Sequence, residues 1–575
     1  MSAAALEAAA TGDGAPGDPG IGRPSPALLE QAGNIVAFFQ HWVERAPDRP
    51  ALVFPRRTRG GLAYDVLTFR QLDEEGRRIA SGLRRLGVGP GDRVMVLVPI
   101  SRQLYALLVA LARLGAVAVF LDPWVGSAQR RAAAELVAPK AFVGIPKAHL
   151  LRLVPEFRRI PLKLVACAPR GAGWLFGTPL ERLVRACPPE EGPFERCDLD
   201  ASSLITFTTG STGRPKGSDR THRFINFQGA TLDRHLRRLP GDVDMPALPI
   251  FVLLNLASGV PSVLPLVDWM RVASVDPAAI VDEIADWKVT TIGGSPAYLL
   301  PIARHCLARG IELGTVRGVV TGGAPVPPEL LRLLQQVCPR ARGNIEVIFG
   351  STEAEPVASI EADEVLRETA ARTEAGEGNC VGRPVAEVEL KLCRPEPGPW
   401  QLAGRGWEAV EVAPGAVGEV LVTGDHVQKS YWNDPQAVLA NKVTGPDGRV
   451  WHRMGDLARL DAQGRLWLVG RVHNAVAAGG RTLYPIQVEA RAEAVPGVRK
   501  AALLSWEERA TVVVEPAQAG ADQEALSRAV EEHLRAGGFE VDVVRCVREI
   551  PLDPRHNAKI ELARLRALLA AEGGA

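Results

Sequence analysis

The most informative stretch of this sequence is TFTTGSTGRPKG, residues 206–217, which follows the apolar pair Leu204-Ile205. Its three glycines allow tight turns and bring backbone N–H groups close to a ligand. The stretch also carries hydroxyl and cationic side chains, namely Thr208, Thr209, Ser211, Thr212, Arg214 and Lys216. Because convergent donors and cations are what a polyphosphate requires, we predict a phosphate-binding loop here.

This loop is not a Walker A loop. In that motif a glycine precedes the lysine directly, whereas here Gly217 follows Lys216. The alternative interpretation, an exposed flexible loop, does not account for so many hydroxyl groups, glycines and cations in so short a stretch. The sequence therefore indicates a polyphosphate-binding loop outside the P-loop class.

Helices and short apolar strands alternate around the loop. Residues 69–88 place apolar side chains on one helical face, residues 92–99 form an apolar strand pattern, and residues 104–121 predict a buried helix followed by a short strand. The pattern recurs at 280–292 and 330–348. Such alternation predicts an α/β fold in which helices cover parallel sheets.

The sequence changes in character after about Val385. Short extended segments at 387–392, 418–423, 450–453 and 466–469 predict a β subdomain, and a helix at 523–536 with Asp522 as its N-cap marks a small α+β unit. We predict three parts: a disordered tail rich in Ala, Gly and Pro at 1–28, a large domain at 29–471, and a small α+β domain at 472–575, for which the family resemblance described below implies mobility.

Composition excludes several classes of protein. The 575 residues are 46% hydrophobic and 23% charged, as in soluble globular proteins. With 67 Lys+Arg against 66 Asp+Glu, the chain has no global attraction to nucleic acid or anionic membrane, although a local patch is possible. The eight cysteines lack zinc spacing, and charges or prolines interrupt the long apolar runs. We expect mostly buried cysteines, no membrane span, no secretory signal and a cytoplasmic location.

The loop closely resembles the signature loop of the adenylate-forming enzymes, the superfamily of AMP-dependent synthetases and ligases. Five further motifs follow in that family's order: Gly322-Gly323-Ala324-Pro325, Phe349-Gly350-Ser351-Thr352-Glu353, His452-Arg453-Met454-Gly455-Asp456, Gly470-Arg471 and Arg555-His556-Asn557-Ala558-Lys559-Ile560. The resemblance covers roughly residues 30–570. It implies a large N-terminal adenylation domain with ATP and acyl sites, and a small hinged C-terminal domain with a catalytic lysine.

The resemblance also implies ATP and Mg²⁺ as ligands and gives roles to individual residues. It implies nucleotide contacts from Thr208, Thr209, Gly210, Ser211, Thr212, Gly213, Gly323, Ala324, Pro325, Phe349, Gly350, Asp456 and Arg471. Phe349 would stack on adenine, and Asp456 would accept hydrogen bonds from both ribose hydroxyls. Catalytic roles are implied for Lys216, Thr352, Glu353 and Lys559, and metal binding for Thr208 and Glu353.

Several departures from most acyl-CoA ligases resemble one branch, the olefin-pathway β-lactone synthetases. Val252 follows Pro249-Ile250-Phe251 where many ligases have His, Ala477 and Ala478 occupy a loop that usually carries a lysine, and Asn557-Ala558 precedes Lys559. In that branch a long-chain 2-alkyl-3-hydroxy acid is adenylated, and its own hydroxyl then displaces AMP. The resemblance therefore implies a fatty acid-like substrate and olefin-pathway enzymes as partners.

Alternatives remain open at this point. The segment 479–485 is nearer to acyl-CoA ligases, so a fatty acyl-AMP or acyl-CoA ligase is the second hypothesis, and a non-catalytic or carrier-docking homologue is the third. Residues 251–264 could form a wall for an alkyl chain or ordinary core. His452 and His473 are candidates for the general base of the second step, and a structural role is the alternative for each.

Overall fold

The computed structural model describes residues 20–121, 126–169, 175–208, 215–269, 271, 274–396, 398–402, 404–518, 520–552 and 559–572. Residues 1–19 of the predicted tail and residues 209–214 of the predicted phosphate loop lie outside this range. The first part of the chain alternates helices and strands. Its elements are α1 (Pro26–Ala32), α2 (Val36–Arg45), β1 (Pro50–Thr58), β2 (Gly61–Thr68), α3 (Phe69–Arg85), β3 (Arg93–Leu97), α4 (Arg102–Arg113), β4 (Val117–Leu121), α5 (Ser127–Val137), β5 (Ala141–Gly144), α6 (Pro155–Arg158), β6 (Leu162–Val165), β7 (Thr178–Pro179) and α7 (Leu180–Ala186).

The middle part carries most of the expected motifs. Its elements are β8 (Ser202–Thr208), β9 (Lys216–Thr221), α8 (His222–Leu236), β10 (Asp244–Pro246), α9 (Pro249–Ser258), β11 (Ser262–Val263), α10 (Pro277–Asp286), β12 (Thr291–Gly294), α11 (Pro296–Arg309), β13 (Gly318–Gly322), α12 (Pro328–Val337), β14 (Ile345–Ser351), β15 (Ala354–Glu361), α13 (Ala362–Glu364), α14 (Ala370–Glu374), β16 (Asn379–Pro384), β17 (Glu389–Cys393), β18 (Gly418–Thr423), α15 (Pro435–Asn441), β19 (Lys442–Thr444), β20 (Val450–Leu460) and β21 (Leu466–Arg471).

The last part is a small α+β unit. Its elements are β22 (Val476–Ala478), β23 (Arg481–Leu483), α16 (Pro485–Glu493), β24 (Val498–Trp506), β25 (Arg509–Pro516), α17 (Gln523–Ala536), β26 (Val543–Cys546) and α18 (Leu562–Glu572). Helix α17 has the predicted bounds, because the Asp522 carboxylate accepts hydrogen bonds from the first free backbone N–H groups of the helix.

Two large sheets position the site. In the seven-stranded sheet the order is β7-β6-β5-β3-β4-β8-β9, and β9 is its antiparallel edge. The fourteen-stranded sheet runs β17-β18-β20-β21-β16-β15-β14-β13-β12-β10-β11-β1-β2, with β19 beside β20. In this sheet order, all neighbouring strands between β14 and β1 are parallel. On the other side of β14, starting with its pairing to β15, neighbouring strands are antiparallel. The expected α/β class, with helix-covered sheets and a β subdomain, is confirmed.

The end of the predicted disordered tail is packed rather than free. The Gly22 amide donates to the Ser258 carbonyl at 2.8 Å, Arg23 forms an ion pair with Asp233 at 3.4 Å, and α1 begins at Pro26. Residues 20–28 therefore differ from the expectation of disorder. The Gly- and Pro-rich composition of the tail gave no indication that its single arginine, Arg23, packs between helices.

Two composition-based expectations can be compared with the structure. Cys187, Cys306, Cys338, Cys380 and Cys393 are buried, Cys197 and Cys546 are half-buried, and Cys167 is exposed. Within the described part of the chain, no helix combines the length and the apolar character that crossing a bilayer requires.

Candidate functional site

The predicted phosphate loop connects β8 to β9. In this antiparallel pair Thr208, the last residue of β8, lies opposite Lys216, the first residue of β9. Strand β8 also pairs in parallel with β4, and its carboxyl end therefore leads directly into the loop. Ligands of open α/β sheets bind at such carboxyl ends. Thr209, Gly210, Ser211, Thr212 and Gly213 lie outside the described residues, but the strands that carry them are in place.

Lys216 lies in a half-buried polar cluster beside this hairpin. Its ammonium group donates to the Asn441 side-chain oxygen at 3.2 Å and lies 5.9 Å from the centre of the Tyr431 ring. Burial lowers the pKa of Lys216, and the carboxylates of Glu353 and Asp434 oppose that shift. The Lys216 ammonium group is therefore close enough to Glu353 for the two charges to interact.

Thr352 and Glu353 form the tight turn between β14 and β15, where Ser351 pairs with Ala354. The Tyr431 hydroxyl donates to one carboxylate oxygen of Glu353 at 3.1 Å. Burial opposes ionisation of Glu353, but the neighbouring basic side chains of His452 and Lys442, together with the Tyr431 hydrogen bond, hold its pKa below the usual value. Glu353 is thus ionised at neutral pH.

The sequence analysis missed Tyr431 and Lys442. Lys442 is buried, its ammonium group donates to the Gln428 carbonyl, and it lies 5.1 Å from the Tyr431 ring centre. Burial lowers the pKa of Lys442 to about 7, with the Glu353 charge opposing this shift and the Lys216 charge adding to it. A lone lysine and a lone tyrosine outside the quoted motifs carry no signal in sequence, because only folding brings them to Glu353.

His452 is fixed next to this cluster. It pairs with Lys442 across β19 and β20, and its Nδ1 lies 3.2 Å from the Asn441 carbonyl oxygen, to which it donates. Burial and the charge of Lys442 lower the pKa of His452 to about 3. The imidazole is therefore neutral at physiological pH.

Asp456 and Arg471 meet across β20 and β21, where they lie opposite each other. The guanidinium contacts the carboxylate at 2.9 Å and also donates to the Met454 carbonyl at 3.0 Å. Burial raises the pKa of Asp456, and the charges of Arg471 and Lys559 oppose this rise. The exposed Lys559, from the C-terminal unit, thus acts electrostatically on a residue of the β subdomain.

The predicted adenine-side turn follows β13. Gly323 has φ +76°, a conformation that favours glycine, and Gly322 pairs in parallel with Ile348 one residue before Phe349. Gly323, Ala324 and Pro325 therefore emerge beside Phe349 and Gly350. At Gly350 an added Cβ would lie 2.6 Å from the Ala354 carbonyl oxygen, so the bulge there requires glycine.

The predicted metal site contains one described carboxylate, that of Glu353. Among the described residues no group of three or more His, Cys, Asp or Glu side chains could enclose a metal ion. Mg²⁺ in nucleotide sites is held by one or two carboxylates together with phosphate oxygens, and one oxygen of Glu353 is not engaged by Tyr431. The donor set fits a magnesium–nucleotide complex. Thr208 is placed only as the last residue of β8.

The apolar segment at 251–264 is densely packed. Phe251 and Leu254 of α9 pack with Leu232, Val320 and Ile348 in one buried cluster. Ile348 immediately precedes Phe349, so this cluster borders the predicted adenine end of the site. Val252 is fully buried in the main core of the N-terminal half. Residues of this segment therefore belong to the hydrophobic core, and part of that core borders the candidate site.

Comparison with known proteins gives the class. Residues 39–432 match the family described as AMP-binding enzyme, and the chain belongs to this family. It is an adenylate-forming, AMP-forming synthetase that uses ATP.

The more specific comparisons concern individual relatives. The chain is 37% identical to the olefin beta-lactone synthetase of Stenotrophomonas maltophilia strain K279a, over 94% of this chain and 98% of the relative. It is 35% identical to the olefin beta-lactone synthetase of Xanthomonas campestris pv. campestris over the same shares. A feruloyl-CoA synthase from Amycolatopsis is 30% identical over 82% of this chain and 88% of the relative.

Solved structures share the fold. The amide bond synthetase McbA from Marinactinospora thermotolerans has a TM-score of 0.73 at 23% identity, covering 93% of this chain and 99% of that chain. ATP-bound MatB from Rhodopseudomonas palustris has a TM-score of 0.73 at 21% identity, covering 93% and 99%. Both units of this chain therefore share their fold with these solved structures.

Proposed function

We propose that this enzyme adenylates a long-chain 2-alkyl-3-hydroxy acid and then closes it to a β-lactone, releasing pyrophosphate and AMP. The observation that carries the proposal is the similarity to two olefin beta-lactone synthetases at 35–37% identity over 94% of the chain. The feruloyl-CoA synthase is less similar and covers less of the chain.

In the first step a carboxylate oxygen attacks the α-phosphorus of ATP, and the bond from that phosphorus to pyrophosphate breaks. Two anions must approach each other, so the step needs positive charge and hydrogen-bond donors. Lys216 interacts with the charge of Glu353, and Lys559 acts on Asp456, so a cation accompanies each of these two carboxylates. Each such electrostatic contact typically contributes about 3 kcal/mol to catalysis.

Each part of the nucleotide, from the adenine to the phosphates, would contact a different motif. Phe349 would stack on adenine beside the turn at Gly323, Ala324 and Pro325. Asp456, held by Arg471 at 2.9 Å, would accept hydrogen bonds from the ribose. Thr352 would donate to the α-phosphate, and the loop at 208–213 would hold the remaining phosphates.

Glu353 would hold Mg²⁺, with Thr208 as a second candidate. When bound, Mg²⁺ supplies charge neutralisation of the phosphates. The protein's own contribution is to keep the Glu353 carboxylate ionised and in a fixed orientation. Tyr431 donates to it, and the neighbouring Lys442 favours its charged form.

In the second step the 3-hydroxyl oxygen attacks the acyl carbon, its proton passes to a base, and AMP leaves. Intramolecular attack needs no second substrate, because both reacting groups are already held in one molecule. His452 is held by the Asn441 carbonyl within β20. His473 is half-buried, and burial together with the Arg471 charge lowers its pKa, so its neutral form can accept a proton. His452 and His473 are both candidates for this base.

The loss of features used with CoA supports lactone closure. Val252 is buried where many ligases have histidine, and Ala477 and Ala478 belong to the short β22–β23 hairpin after the hinge, which has no lysine. The alternative function, a fatty acyl-AMP or acyl-CoA ligase, is supported by the similarity to a feruloyl-CoA synthase.

The test uses two acids that differ by one hydroxyl. Purified enzyme is incubated with ATP, Mg²⁺ and either a racemic 2-alkyl-3-hydroxy acid or the matching 3-deoxy acid, with and without CoA. We expect pyrophosphate from both acids, but lactone from the hydroxy acid alone and without CoA. A thioester formed only with CoA would identify a ligase, and no pyrophosphate from either acid would refute this substrate class.

A further inference from the structure

The most exposed large apolar side chains of the described residues lie on one surface. They are Leu150, Leu153 and Leu175, with exposed fractions of 62%, 77% and 60%. The other exposed leucines are less exposed and come from separate parts of the chain. Single exposed leucines need no explanation, whereas three on one surface indicate a contact site.

Local geometry places these leucines together. A 3-10 helix spans Pro146–Leu153, and residues three apart in such a helix are eclipsed. Lys147, Leu150 and Leu153 therefore line one edge, while Ala148 and Leu151 pack inward against a buried cluster. The Arg152 guanidinium donates to the Phe176 carbonyl at 2.9 Å, which holds Leu175 next to this helix.

Positive charge surrounds the leucines. Arg158 donates to the Leu153 carbonyl at 3.4 Å, Lys163 donates to the Arg158 carbonyl at 2.8 Å, and Arg159 is exposed. Residues 147–180 contain a single acid, Glu156, and its carboxylate is already paired with Arg131 at 3.1 Å. This segment therefore carries an excess of positive charge in a chain whose net charge is only +1.

We propose that this surface docks the enzyme on an anionic lipid bilayer. We call it the leucine–arginine face, defined by Leu150, Leu153, Leu175, Arg152, Arg158, Arg159, Lys147 and Lys163. Leucines enter the acyl boundary while lysine and arginine keep their charged ends at the headgroups. Anionic headgroups attract each nearby cation, whereas three leucines alone would bind weakly. The inference goes beyond the proposed reaction and holds whichever acid is adenylated.

The experiment is co-sedimentation of the full chain with protein-free vesicles of phosphatidylcholine, with or without phosphatidylglycerol. We expect binding to the mixed vesicles that weakens with salt, and little binding to phosphatidylcholine alone. Replacing the leucines together (Leu150→Ser, Leu153→Ser, Leu175→Ser) or reversing two charges (Arg158→Glu, Arg159→Glu) should weaken binding by at least about tenfold.

A matched control replaces three exposed leucines elsewhere: Leu239→Ser, Leu307→Ser and Leu439→Ser. We expect it to bind vesicles like the unmodified enzyme, and all variants should keep the melting temperature and release pyrophosphate from a soluble acid at the same rate. Absence of vesicle binding by the unmodified enzyme, equal binding to both vesicle types, or an equal loss in the control would overturn the proposal. Binding only to an acidic protein, and never to vesicles, would do the same.

Discussion

Lys559 is the residue on which the proposed adenylation depends most directly. It is exposed, yet its charge acts on the buried Asp456. We expect Lys559→Ala to slow pyrophosphate release by about a hundredfold or more, because a cation at the meeting point of two anions is lost. ATP affinity should change little. Pyrophosphate release and nucleotide binding by calorimetry measure the two effects.

The control for this variant is Arg528→Ala on α17. This arginine is exposed and lies 3.9 Å from Glu524 of the same helix. The control should keep full activity. Unchanged pyrophosphate release in Lys559→Ala would refute the catalytic role of the lysine.

A substitution of Asp456 tests nucleotide binding separately from catalysis. Asp456→Asn keeps the size of the side chain but removes the charge that pairs with Arg471 at 2.9 Å. We expect the KM for ATP to rise about tenfold or more, with a smaller change in kcat, since hydrogen bonds to charged groups contribute about 1.5–3 kcal/mol. Steady-state kinetics with varied ATP measures this. Asp447→Asn, in an exposed turn, serves as the control, and an unchanged KM in Asp456→Asn would exclude the ribose role.

At the scale of elements, the close approach of β16 to β15 requires a glycine in β16. Gly382 has φ +84°, and an added Cβ would lie 1.9 Å from the Ser359 carbonyl oxygen of β15. We expect Gly382→Ala to lower the free energy of unfolding by about 2 kcal/mol or more, because both the backbone strain and the contact are unfavourable. Thermal denaturation measures the change.

Gly448→Ala is the matched control for that prediction. Gly448 has φ +78° and no heavy atom within 4 Å of the added Cβ, so it reports the backbone strain alone. Equal destabilisation of the two variants would show that close approach of β15 and β16 is not what requires Gly382.

A histidine at the start of α8 leads us to expect that the stability of the fold depends on pH. The Ile35 amide donates to Nδ1 of His222 at 3.2 Å, so this nitrogen must be unprotonated, and burial lowers the pKa of His222 to about 4. A histidine with a lowered folded-state pKa stabilises the fold above its unfolded pKa of about 6.5 and loses that contribution as the pH falls towards 4.

The test compares the unmodified enzyme with His222→Asn by urea denaturation at pH 7.5 and pH 5. The advantage of the unmodified enzyme in free energy of unfolding should shrink by about 2 kcal/mol at the lower pH. A difference between the two proteins that does not depend on pH would contradict this explanation.

At the scale of the whole molecule, the C-terminal unit is docked on the N-terminal part. An added Cβ at Gly376 would lie 2.9 Å from the Phe539 ring, and one at Gly470 would lie 2.8 Å from Pro485. We expect Phe539→Ala to loosen this docking, increase proteolytic cleavage within 472–484 and slow pyrophosphate release several-fold, because Lys559 is then less well placed.

Val541→Ala is the control for docking. Val541 belongs with Phe539 to the partly buried shell of the C-terminal core, so it reports loss of core packing. If both variants are cleaved equally, the effect of Phe539 comes from its own domain and not from the contact with Gly376.

Much of the fold and of the site could be predicted because its signals are local. Helix α17 has the bounds that its apolar spacing and Asp522 predict, and the family follows from short motifs. The prediction of disorder was wrong at residues 20–28, because burial of Arg23 depends on α8 and α9, far along the chain. Tyr431 and Lys442 were missed for the same reason, since each is an ordinary residue until folding brings it to Glu353.

The amino-acid order by itself determined the class of enzyme, the α/β architecture and the set of motif residues, because glycine geometry, capping and apolar periodicity act over a few residues. Only the tertiary structure decided which groups share a low-dielectric environment and which meet solvent. The lowered pKa of Lys442, the effect of Lys559 on Asp456 and the leucine–arginine face all arise there, since burial and Coulomb interactions depend on distance in space and not along the chain.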